Sequence, residues 1–382
     1  MAHSVSHLNP HNHGMQFIHT ADWQIGMRAV HAGGAAQKVR AARLKAAERV
    51  CEIATRESVD FLLIAGDTFE DNSVDRQLVI AVAGILGSLT IPVFVLPGNH
   101  DPLQPGCAWE HPAWNTAANV TVLKERQPLQ IPGGTLLPCP TFARRSPEDP
   151  TTWISNENAD GIRVVVAHGN VGELMSEEGG FPIAMDTAAR TNADYVALGH
   201  WHSTLLLSSN GAARMAYSGT HEATRFGEAN SGNVLVVNIA APGAAPEIRI
   251  KKTGELRWER VGIGETITTP GKLAEVNRRL AQMPDQDKTL LEVVLSGLLF
   301  ECDRDELPRI ESACSRFLSA RIDKSGLRPA PNDDDWVRHL PAGAVRATAA
   351  LLQQMASGNS ETAEVATQAL LELYSFAHEV QL

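Results

Sequence analysis

The sequence lacks the segments that would carry a chain into or across a membrane. No uninterrupted apolar run approaches the roughly 18 residues that a membrane-spanning helix needs. The first fourteen residues, MAHSVSHLNPHNHG, have neither the apolar stretch nor the small-residue cleavage site of a secretory signal. These absences exclude the membrane classes and lead us to expect a cytoplasmic protein.

Cysteine is also scarce, and its spacing is irregular. No CxxC pair occurs among the five cysteines, which are Cys51, Cys107, Cys139, Cys302 and Cys314. This spacing argues against both a thiolate zinc site and a disulfide framework. We therefore expect reduced cysteines that mostly pack in the interior.

Positive charge is in deficit. The 33 lysines and arginines are outnumbered by 44 acidic residues, which gives a net charge of -11. A polyanion such as DNA would feel no overall attraction, so any binding of nucleic acid must come from a local basic patch or from bound divalent metal. The mean hydropathy of -0.13 is that of an ordinary globular protein.

Apolar runs and helical patterns alternate through the first two thirds of the chain. Buried strands are predicted at 17–18, 60–65, 91–96, 162–167 and 195–198, with helices over 37–57 and 75–86. This order predicts an α/β domain with covered sheets. Beyond Gly199, strands are expected at 204–208, 214–218, 233–239 and 247–251, in an antiparallel pattern.

The pattern divides the chain into four parts. We expect a disordered His-rich leader at 1–14, a main domain over 15–262, a small α+β module over 263–330 and two C-terminal helices within 340–382. Ser360 is placed to cap the last helix. Its apolar stripe from Ala366 to Val380 is either packed on the chain itself or is a seat for a partner's coiled coil.

Five short polar motifs follow the predicted strands. They are Asp22-Trp23-Gln24, Gly66-Asp67, Gly98-Asn99-His100-Asp101, His168-Gly169 and Gly199-His200-Trp201-His202. Each alone is common in turns, but the ordered set is specific. Carboxylate, amide oxygen and imidazole are ligands that suit Mn, Fe or Zn. Two such ions supply the nucleophile and the charge neutralisation that phosphodiester hydrolysis requires.

With these motifs, residues 16–262 resemble the calcineurin-like metallophosphoesterases. The resemblance implies two stacked sheets flanked by helices, with two divalent metal ions at the strand ends. It implies that Asp22 and His202 bind the first ion, that Asp67 bridges both, and that the second is bound by Asn99, His168 and His200. It also implies a catalytic His100, which faces the phosphate without binding metal.

One position departs from the family pattern, because Gln24 stands where most of these enzymes have histidine. The amide oxygen of glutamine is a harder and weaker donor than imidazole. One expectation is that Gln24 is a metal ligand and that the first site binds its ion loosely and favours Mn. The alternatives are that Gln24 does not touch the metal and water completes the site, or that the site has lost activity.

Two further segments narrow the resemblance to SbcD-type DNA repair exonucleases. FIHTADWQIG at 17–26 resembles their opening, and Tyr217 to Thr220 with Phe226-Gly227-Glu228 resembles their segment after the last metal motif. The resemblance implies a hydrolase that cuts DNA in double-strand break repair with an SMC-like ATPase, and it leaves a homodimer open. It also implies that 263–330 caps the nuclease domain and that 340–382 binds the ATPase.

Alternatives to this function remain at the level of sequence. They are a phosphoesterase for a smaller phosphodiester or phosphomonoester, and an interaction subunit with little activity. Six basic residues in the cap either face phosphates or form a solvated surface: Arg304, Arg309, Arg316, Arg321, Lys324 and Arg328. Trp201 either contacts a base or packs beside the metals.

Overall fold

The computed structural model describes residues 14–156, 161–172, 180–209, 211–262, 264–331, 335–357 and 361–379. It has two compact units, of which the first ends at Leu256 and the second begins at Arg257. This division falls a few residues before Gly262, the boundary expected from the sequence. The expectations for the leader at 1–13, for the cap at Ser360 and for Val380 lie outside the described residues.

The first sheet of the N-terminal unit has six strands: β1 (Met15–Thr20), β2 (Phe61–Ala65), β3 (Val93–Leu96), β4 (Val120–Val122), β13 (Asn233–Ile239) and β14 (Glu247–Lys252). They lie in the order β14-β13-β1-β2-β3-β4. The strands from β1 to β4 are parallel, whereas β13 runs antiparallel to both β1 and β14.

The second sheet also has six strands: β5 (Leu129–Ile131), β6 (Gly134–Cys139), β7 (Ile162–His168), β10 (Tyr195–Gly199), β11 (Leu205–Ser209) and β12 (Ala212–Tyr217). Their order is β11-β12-β10-β7-β6-β5. The central strands β6, β7, β10 and β12 are parallel, and the outer strands β5 and β11 are antiparallel to their neighbours. A separate two-stranded pair is formed by β8 (Asn170–Val171) and β9 (Pro182–Ile183).

Helices cover the outer faces of both sheets. They are α1 (Ala36–Arg56), α2 (Arg76–Gly87) and α3 (Thr187–Arg190), with 3-10 helices at Val30–Ala35, Ala108–Glu110 and Pro112–Thr116. The carboxylate of Asp75 caps α2 by accepting from the backbone N–H of Gln77 at 2.7 Å.

Strand β2 shows why the predicted strands are continuously apolar. Phe61 and Leu63 belong to the core that both sheets share, whereas Leu62 and Ile64 belong to the core under α1 and α2. Because both faces of the strand are covered, all five of its residues are buried. The prediction of a two-sheet α/β fold flanked by helices is confirmed.

In its described residues the second unit contains a four-stranded parallel sheet and five α-helices. The strands are β15 (Arg257–Val261), β16 (Thr266–Ile267), β17 (Thr289–Leu299) and β18 (Ser319–Pro329), and β17 pairs with the other three. The helices are α4 (Lys272–Gln282), α5 (Glu306–Cys314), α6 (Trp336–His339), α7 (Ala344–Ala356) and α8 (Glu361–Glu379), with 3-10 helices at Gln286–Lys288 and Glu301–Asp303. The sequence pattern predicts helical faces from Leu273 to Met283 and from Leu307 to Phe317 and a strand over 289–299, which correspond to α4, α5 and β17, but it does not predict β18.

The C-terminal helices form a core of their own. Ala349 of α7 packs with Leu370 and Ala377 of α8, together with Val337 and Leu340. The predicted stripe of α8 is therefore largely packed on the chain itself, although Phe376 within it is 53% exposed. None of the described helices is both long enough and apolar enough to span a membrane.

Candidate metal centre

The predicted ligands lie at the carboxyl ends of five strands. Asp22 and Gln24 follow β1, Asp67 follows β2, Asn99 follows β3, His168 ends β7, and His200 and His202 follow β10. In each sheet these strands are parallel, so their carboxyl ends share one edge. Ligands of α/β proteins commonly bind at this edge.

Four of the predicted ligands meet directly. The Nε2 of His168 lies 2.8 Å from the Oδ1 of Asn99 and 3.2 Å from the Oδ2 of Asp67. The Nδ1 of His200 lies 3.1 Å from the same oxygen of Asn99. The ligand atoms of Asp67, His168 and His200 all lie within 4.8 Å of one another. These are the side chains predicted to share the second metal ion.

The ring of His168 is fixed by the backbone of the other sheet. Its Nδ1 lies 2.9 Å from the carbonyl oxygen of Ala65. Because a carbonyl only accepts, Nδ1–H is the donor to Ala65, and Nε2–H donates to Asn99 and Asp67; Nε2 must lose this proton to bind a metal. Burial alone would lower the pKa of His168, but the charges of Asp67 and Asp22 and two hydrogen bonds raise this pKa to about 9.

Asp67 is the anion at the centre of this group. Its Oδ1 accepts from the backbone N–H of His100 at 2.8 Å, while its Oδ2 faces His168. Burial opposes ionisation, yet the charge and hydrogen bond of His168 hold the pKa of Asp67 below its ordinary value. The carboxylate is therefore ionised and only 1% exposed. This is the state that a metal ligand requires.

Asp22 joins the group through backbone rather than through another ligand side chain. Both of its carboxylate oxygens accept from the N–H of His200, at 3.0 and 3.1 Å. Burial raises the pKa of Asp22 to about 6, although His168 and His202 act in the opposite direction. Asp22 is thus within electrostatic reach of both histidines but is outside the tight group around Asp67.

His202 is oriented by Glu228. The Nδ1 of His202 lies 2.6 Å from the Oε1 of Glu228, whose side chain is only 4% exposed. Thr224 donates its backbone N–H to Glu228 at 2.7 Å. Burial would raise the pKa of Glu228, but the hydrogen bond and charge of His202 lower it to about 2. The ionised carboxylate thus holds Nδ1–H, which leaves Nε2 available to a metal.

Gln24 lies beside Asp67 but contributes no charge. Its backbone N–H donates to the carbonyl of Asp67 at 2.8 Å, and the residue is 7% exposed. The position is therefore interior and next to Asp67, the carboxylate that is predicted to bridge the two ions. Ligation through the side chain of Gln24 remains a prediction.

Backbone strain is concentrated at the candidate ligands. Among the described non-glycine residues, nine have positive φ, and four of these are Asp22 (56°), Gln24 (40°), Asp67 (51°) and His200 (106°). Such conformations are costly for residues with a Cβ atom and persist only where the surrounding structure imposes them. The concentration at these four positions is typical of a functional site.

The glycines of the motifs make room for the ligands. A Cβ on Gly66 would lie 2.1 Å from the Nδ1 of His168, and a Cβ on Gly98 would lie 2.1 Å from the Oδ1 of Asp67. A Cβ on Gly199 would lie 1.9 Å from the carbonyl oxygen of Ala65. Three of the five motifs therefore begin with glycine, because neighbouring groups pack against the bare backbone there.

A buried arginine anchors the loop that carries Asp22. Arg43 of α1 is 1% exposed. Its guanidinium donates to the carbonyls of Asp22 at 3.2 Å, of Glu222 at 3.0 Å and of Trp23. One guanidinium thus satisfies three backbone carbonyls and fixes the strained loop to helix α1.

His100 and Asp101 follow the ligand Asn99 but point elsewhere. The Nδ1–H of His100 donates to the carbonyl of Glu70 at 2.9 Å, which leaves Nε2 as the nitrogen available to a substrate. Asp101 accepts from the N–H groups of Gly98 at 2.7 Å and of Phe69 at 2.9 Å. Asp101 therefore ties the loops after β2 and β3 together.

Sequence reasoning missed the supporting roles of Glu228 and Arg43. Glu228 lies in a segment that resembles SbcD-type nucleases, but the sequence gives no signal for its contact with His202. Arg43 had a signal in the sequence: it lies on the same helical face as the buried Val39, Ala47 and Val50. A cation on an apolar face predicts a buried polar partner.

The predicted basic patch of the second unit is largely neutralised. Four of its six members pair with glutamates: Arg304 with Glu301, Arg309 with Glu306, Arg321 with Glu292, and Lys324 with Glu311. The patch thus offers much less free positive charge than the sequence indicated. Trp201 is 41% exposed, so the expectation that it packs beside the metals is only partly met.

The donor set fits two divalent ions. It combines buried carboxylates, an amide oxygen and three imidazoles, of which His168 is bonded through its other nitrogen to a carbonyl and His202 to a carboxylate. Asp67, Asn99, His168 and His200 would bind the second ion. Asp22 and His202, with Asp67 shared, would bind the first.

Part of the chain is similar to known proteins. The family model of calcineurin-like phosphoesterases matches residues 15–204. The chain is 23% identical to the uncharacterized metallophosphoesterase YhaO of Bacillus subtilis over 237 residues. This aligned region covers 60% of this chain and 57% of YhaO. Among solved structures, the calcineurin-like phosphoesterase YfkN of Bacillus subtilis matches 63% of this chain and 91% of its own, with 12% identity and a TM-score of 0.38.

Two relatives have names that refer to DNA repair or to a nuclease. The DNA double-strand break repair protein Mre11 of Saccharolobus solfataricus is 23% identical over 182 residues, which is 46% of this chain and 48% of that protein. The SbcD component of the SbcCD nuclease of Rhodobacter capsulatus is 34% identical over 95 residues, which is 24% of this chain and 22% of that protein. The matches thus span between 22% and 57% of the relatives' lengths.

Proposed function

Through residues 15–204 the chain belongs to the calcineurin-like phosphoesterase superfamily, and on this premise we propose that it is a metal-dependent nuclease that hydrolyses phosphodiester bonds of DNA. The observation that carries the proposal is the direct meeting of Asp67, Asn99, His168 and His200 at one strand edge. When bound, two divalent ions would supply an activated water nucleophile and neutralise charge on the phosphate oxygens.

His100 is the residue that acts on the substrate. Its backbone N–H is bonded to Asp67 and its Nδ1–H is bonded to Glu70, so the ring is held from two sides. No hydrogen bond joins its Nε2 to another described residue. This nitrogen, when protonated, donates a hydrogen bond to the phosphate oxygen that gains charge or protonates the leaving oxygen.

The choice of DNA as substrate rests on the relatives. Mre11 and the SbcCD nuclease carry names that refer to DNA repair and to a nuclease. The metal site alone is compatible with any phosphoester, because it recognises phosphate rather than base. A role in double-strand break repair, exonuclease activity and manganese as the favoured metal belong to the same proposal.

An SMC-like ATPase is the proposed partner of the C-terminal helices. Because the predicted stripe of α8 is largely packed on the chain, the contact falls to four apolar residues that remain exposed, with relative exposures of 45–66%: Leu351, Met355, Val365 and Phe376. Val365→Glu with Phe376→Glu should abolish co-purification with a coiled-coil ATPase while nuclease activity persists. Unchanged co-purification would contradict this partner assignment.

The nuclease proposal is tested with the purified protein loaded in turn with Mn²⁺, Mg²⁺ or Zn²⁺. Linear duplex DNA, single-stranded DNA and bis-p-nitrophenyl phosphate are the substrates, and Asp67→Ala is the inactive control. We expect DNA cleavage, strongest with Mn²⁺. Hydrolysis of the aryl diester without DNA cleavage under any metal would favour a small phosphodiester as the substrate and would overturn the nuclease proposal.

A further inference from the structure

An exposed aromatic ring lies in the segment that follows β6, the strand beside the one that ends at the candidate ligand His168. Phe142 is 47% exposed, and the guanidinium carbon of Arg126 lies 5.4 Å from the centroid of its ring. Neither residue contributes to the hydrophobic cores of this unit. A large apolar ring left in solvent beside a cation has the form of a stacking surface for a base.

The segment that carries Phe142 is bonded to both sides of the loop that holds Asn99 and His100. The hydroxyl of Thr141 donates to the carbonyls of Gly98 and of Pro97, the latter at 3.2 Å. On the other side, the N–H of Leu103 donates to the carbonyl of Thr141 at 2.9 Å. Phe142 therefore directly follows a residue that is hydrogen-bonded to the loop of His100.

Strand order places a second exposed ring across the centre. Phe142 follows β6, His168 ends β7, and Trp201 follows β10, and these three strands are consecutive neighbours in the second sheet. Adjacent strands lie about 4.8 Å apart, so the ends of β6 and β10 are roughly 10 Å from each other, on either side of the strand that ends at His168. The segments that carry the two exposed rings thus leave the sheet on either side of a candidate ligand.

Basic residues cluster around Phe142 in a chain that is otherwise acidic. Lys124 and Arg126 follow β4, and Arg144 and Arg145 follow Phe142; all four are exposed. None of the ion pairs among the described residues involves them. The acidic neighbours Glu125 and Glu148 offset only part of this charge. Since the whole chain carries -11, such a local surplus is where a polyanion would be attracted.

We propose that Phe142, Arg126, Arg144 and Arg145 form a subsite for single-stranded polynucleotide next to the metal centre. One base stacks on Phe142, the arginines contact the phosphates that flank it, and the strand continues across the ligands toward Trp201. This inference rests on the proposed nuclease function. It adds that the enzyme holds an unpaired strand by stacking, without reading its sequence.

The test measures binding of a fluorescent oligothymidine to the full chain in EDTA, by anisotropy at several salt concentrations. Phe142→Leu keeps an apolar side chain but removes the ring, and binding should weaken about 5- to 150-fold, the range that about 1–3 kcal/mol per stacked base implies. For Arg144→Gln with Arg145→Gln, the slope of log affinity against log salt should become shallower by about 1.4, which corresponds to two phosphates of a single strand.

The matched control is Arg56→Gln with Arg76→Gln. It removes the same charge from exposed ends of α1 and α2 and should leave the salt slope unchanged. If wild type binds and cuts DNA while the Phe142 and double-arginine variants behave like this control, the subsite is refuted and the nuclease function stands. If wild type neither binds the oligonucleotide nor cuts DNA, both proposals fail.

Discussion

The two halves of the candidate metal centre are built differently. Asn99, His168 and His200 are joined through one shared amide oxygen at 2.8–3.1 Å. In the other half, Asp22 is bonded to backbone and His202 to Glu228. In the half for the second ion, the candidate ligands contact one another. In the half for the first ion, each candidate ligand is bonded instead to a group that is not expected to bind metal. We infer that the two ions bind with unequal affinity.

Loss of Asp67 should have the largest effect, because this carboxylate is predicted to bind both ions. Asp67→Ala should reduce the rate of phosphodiester hydrolysis on the order of 1,000-fold or more and should weaken the binding of both metal ions. Metal analysis after dialysis and the initial rate measure the two effects. Asp186→Asn, an exposed carboxylate at the start of α3, is the control. Retention of one tightly bound ion by Asp67→Ala would show that Asp67 does not bridge.

His100→Ala should separate chemistry from metal binding. The ring of His100 is not among the predicted metal ligands, so metal content and DNA affinity should persist. Turnover should fall on the order of 100-fold. The expected split arises because His100 stabilises charge that develops only in the transition state. His339→Ala is a control at an exposed histidine of the second unit. Loss of metal, or nearly normal turnover, would refute the catalytic role.

Glu228→Gln should affect only the first half. Without the carboxylate, His202 loses the partner that fixes its tautomer, and affinity for the first ion should fall about 10- to 100-fold. The second ion should be unaffected, because its ligands do not contact Glu228 in the described structure. Calorimetric titration with Mn²⁺ resolves the two events, with Glu125→Gln as the control. Equal weakening of both ions would break the distinction between the halves.

Gln24→His should have the smallest effect, and in the opposite direction. An imidazole in place of the amide should tighten the first ion about tenfold and shift its preference from Mn²⁺ toward Zn²⁺. Competition titrations with the two metals measure this shift. Identical affinities in the variant and the wild type would mean that residue 24 is not a ligand.

Strand-end motifs made it predictable from sequence that the candidate ligands lie at one edge of the sheets. Asp67 and Asn99 each follow a buried apolar run, and parallel strands bring such positions to one edge. The supporting residues could not be predicted in the same way. Arg43 reaches Glu222, 179 positions away, and Glu228 reaches His202 across 26 positions, so both contacts exist only in the folded chain.

The second unit shows the other limit of sequence reasoning. Its arginines looked available for phosphate, but β18 places Arg321 beside Glu292 of β17, and other members of the patch pair with nearby glutamates. Periodicity likewise identified the apolar stripe of α8 without showing that α7 covers it. A pattern gives the face of an element, whereas its partner depends on packing that the pattern does not contain.

The most direct test of unequal halves is a calorimetric titration of the metal-free protein with Mn²⁺, repeated with His168→Ala and His202→Ala. The account predicts two binding events in the wild type, of which the tighter is lost in His168→Ala and the weaker is lost in His202→Ala. A single class of site in the wild type, or loss of the tighter event in His202→Ala alone, would contradict it.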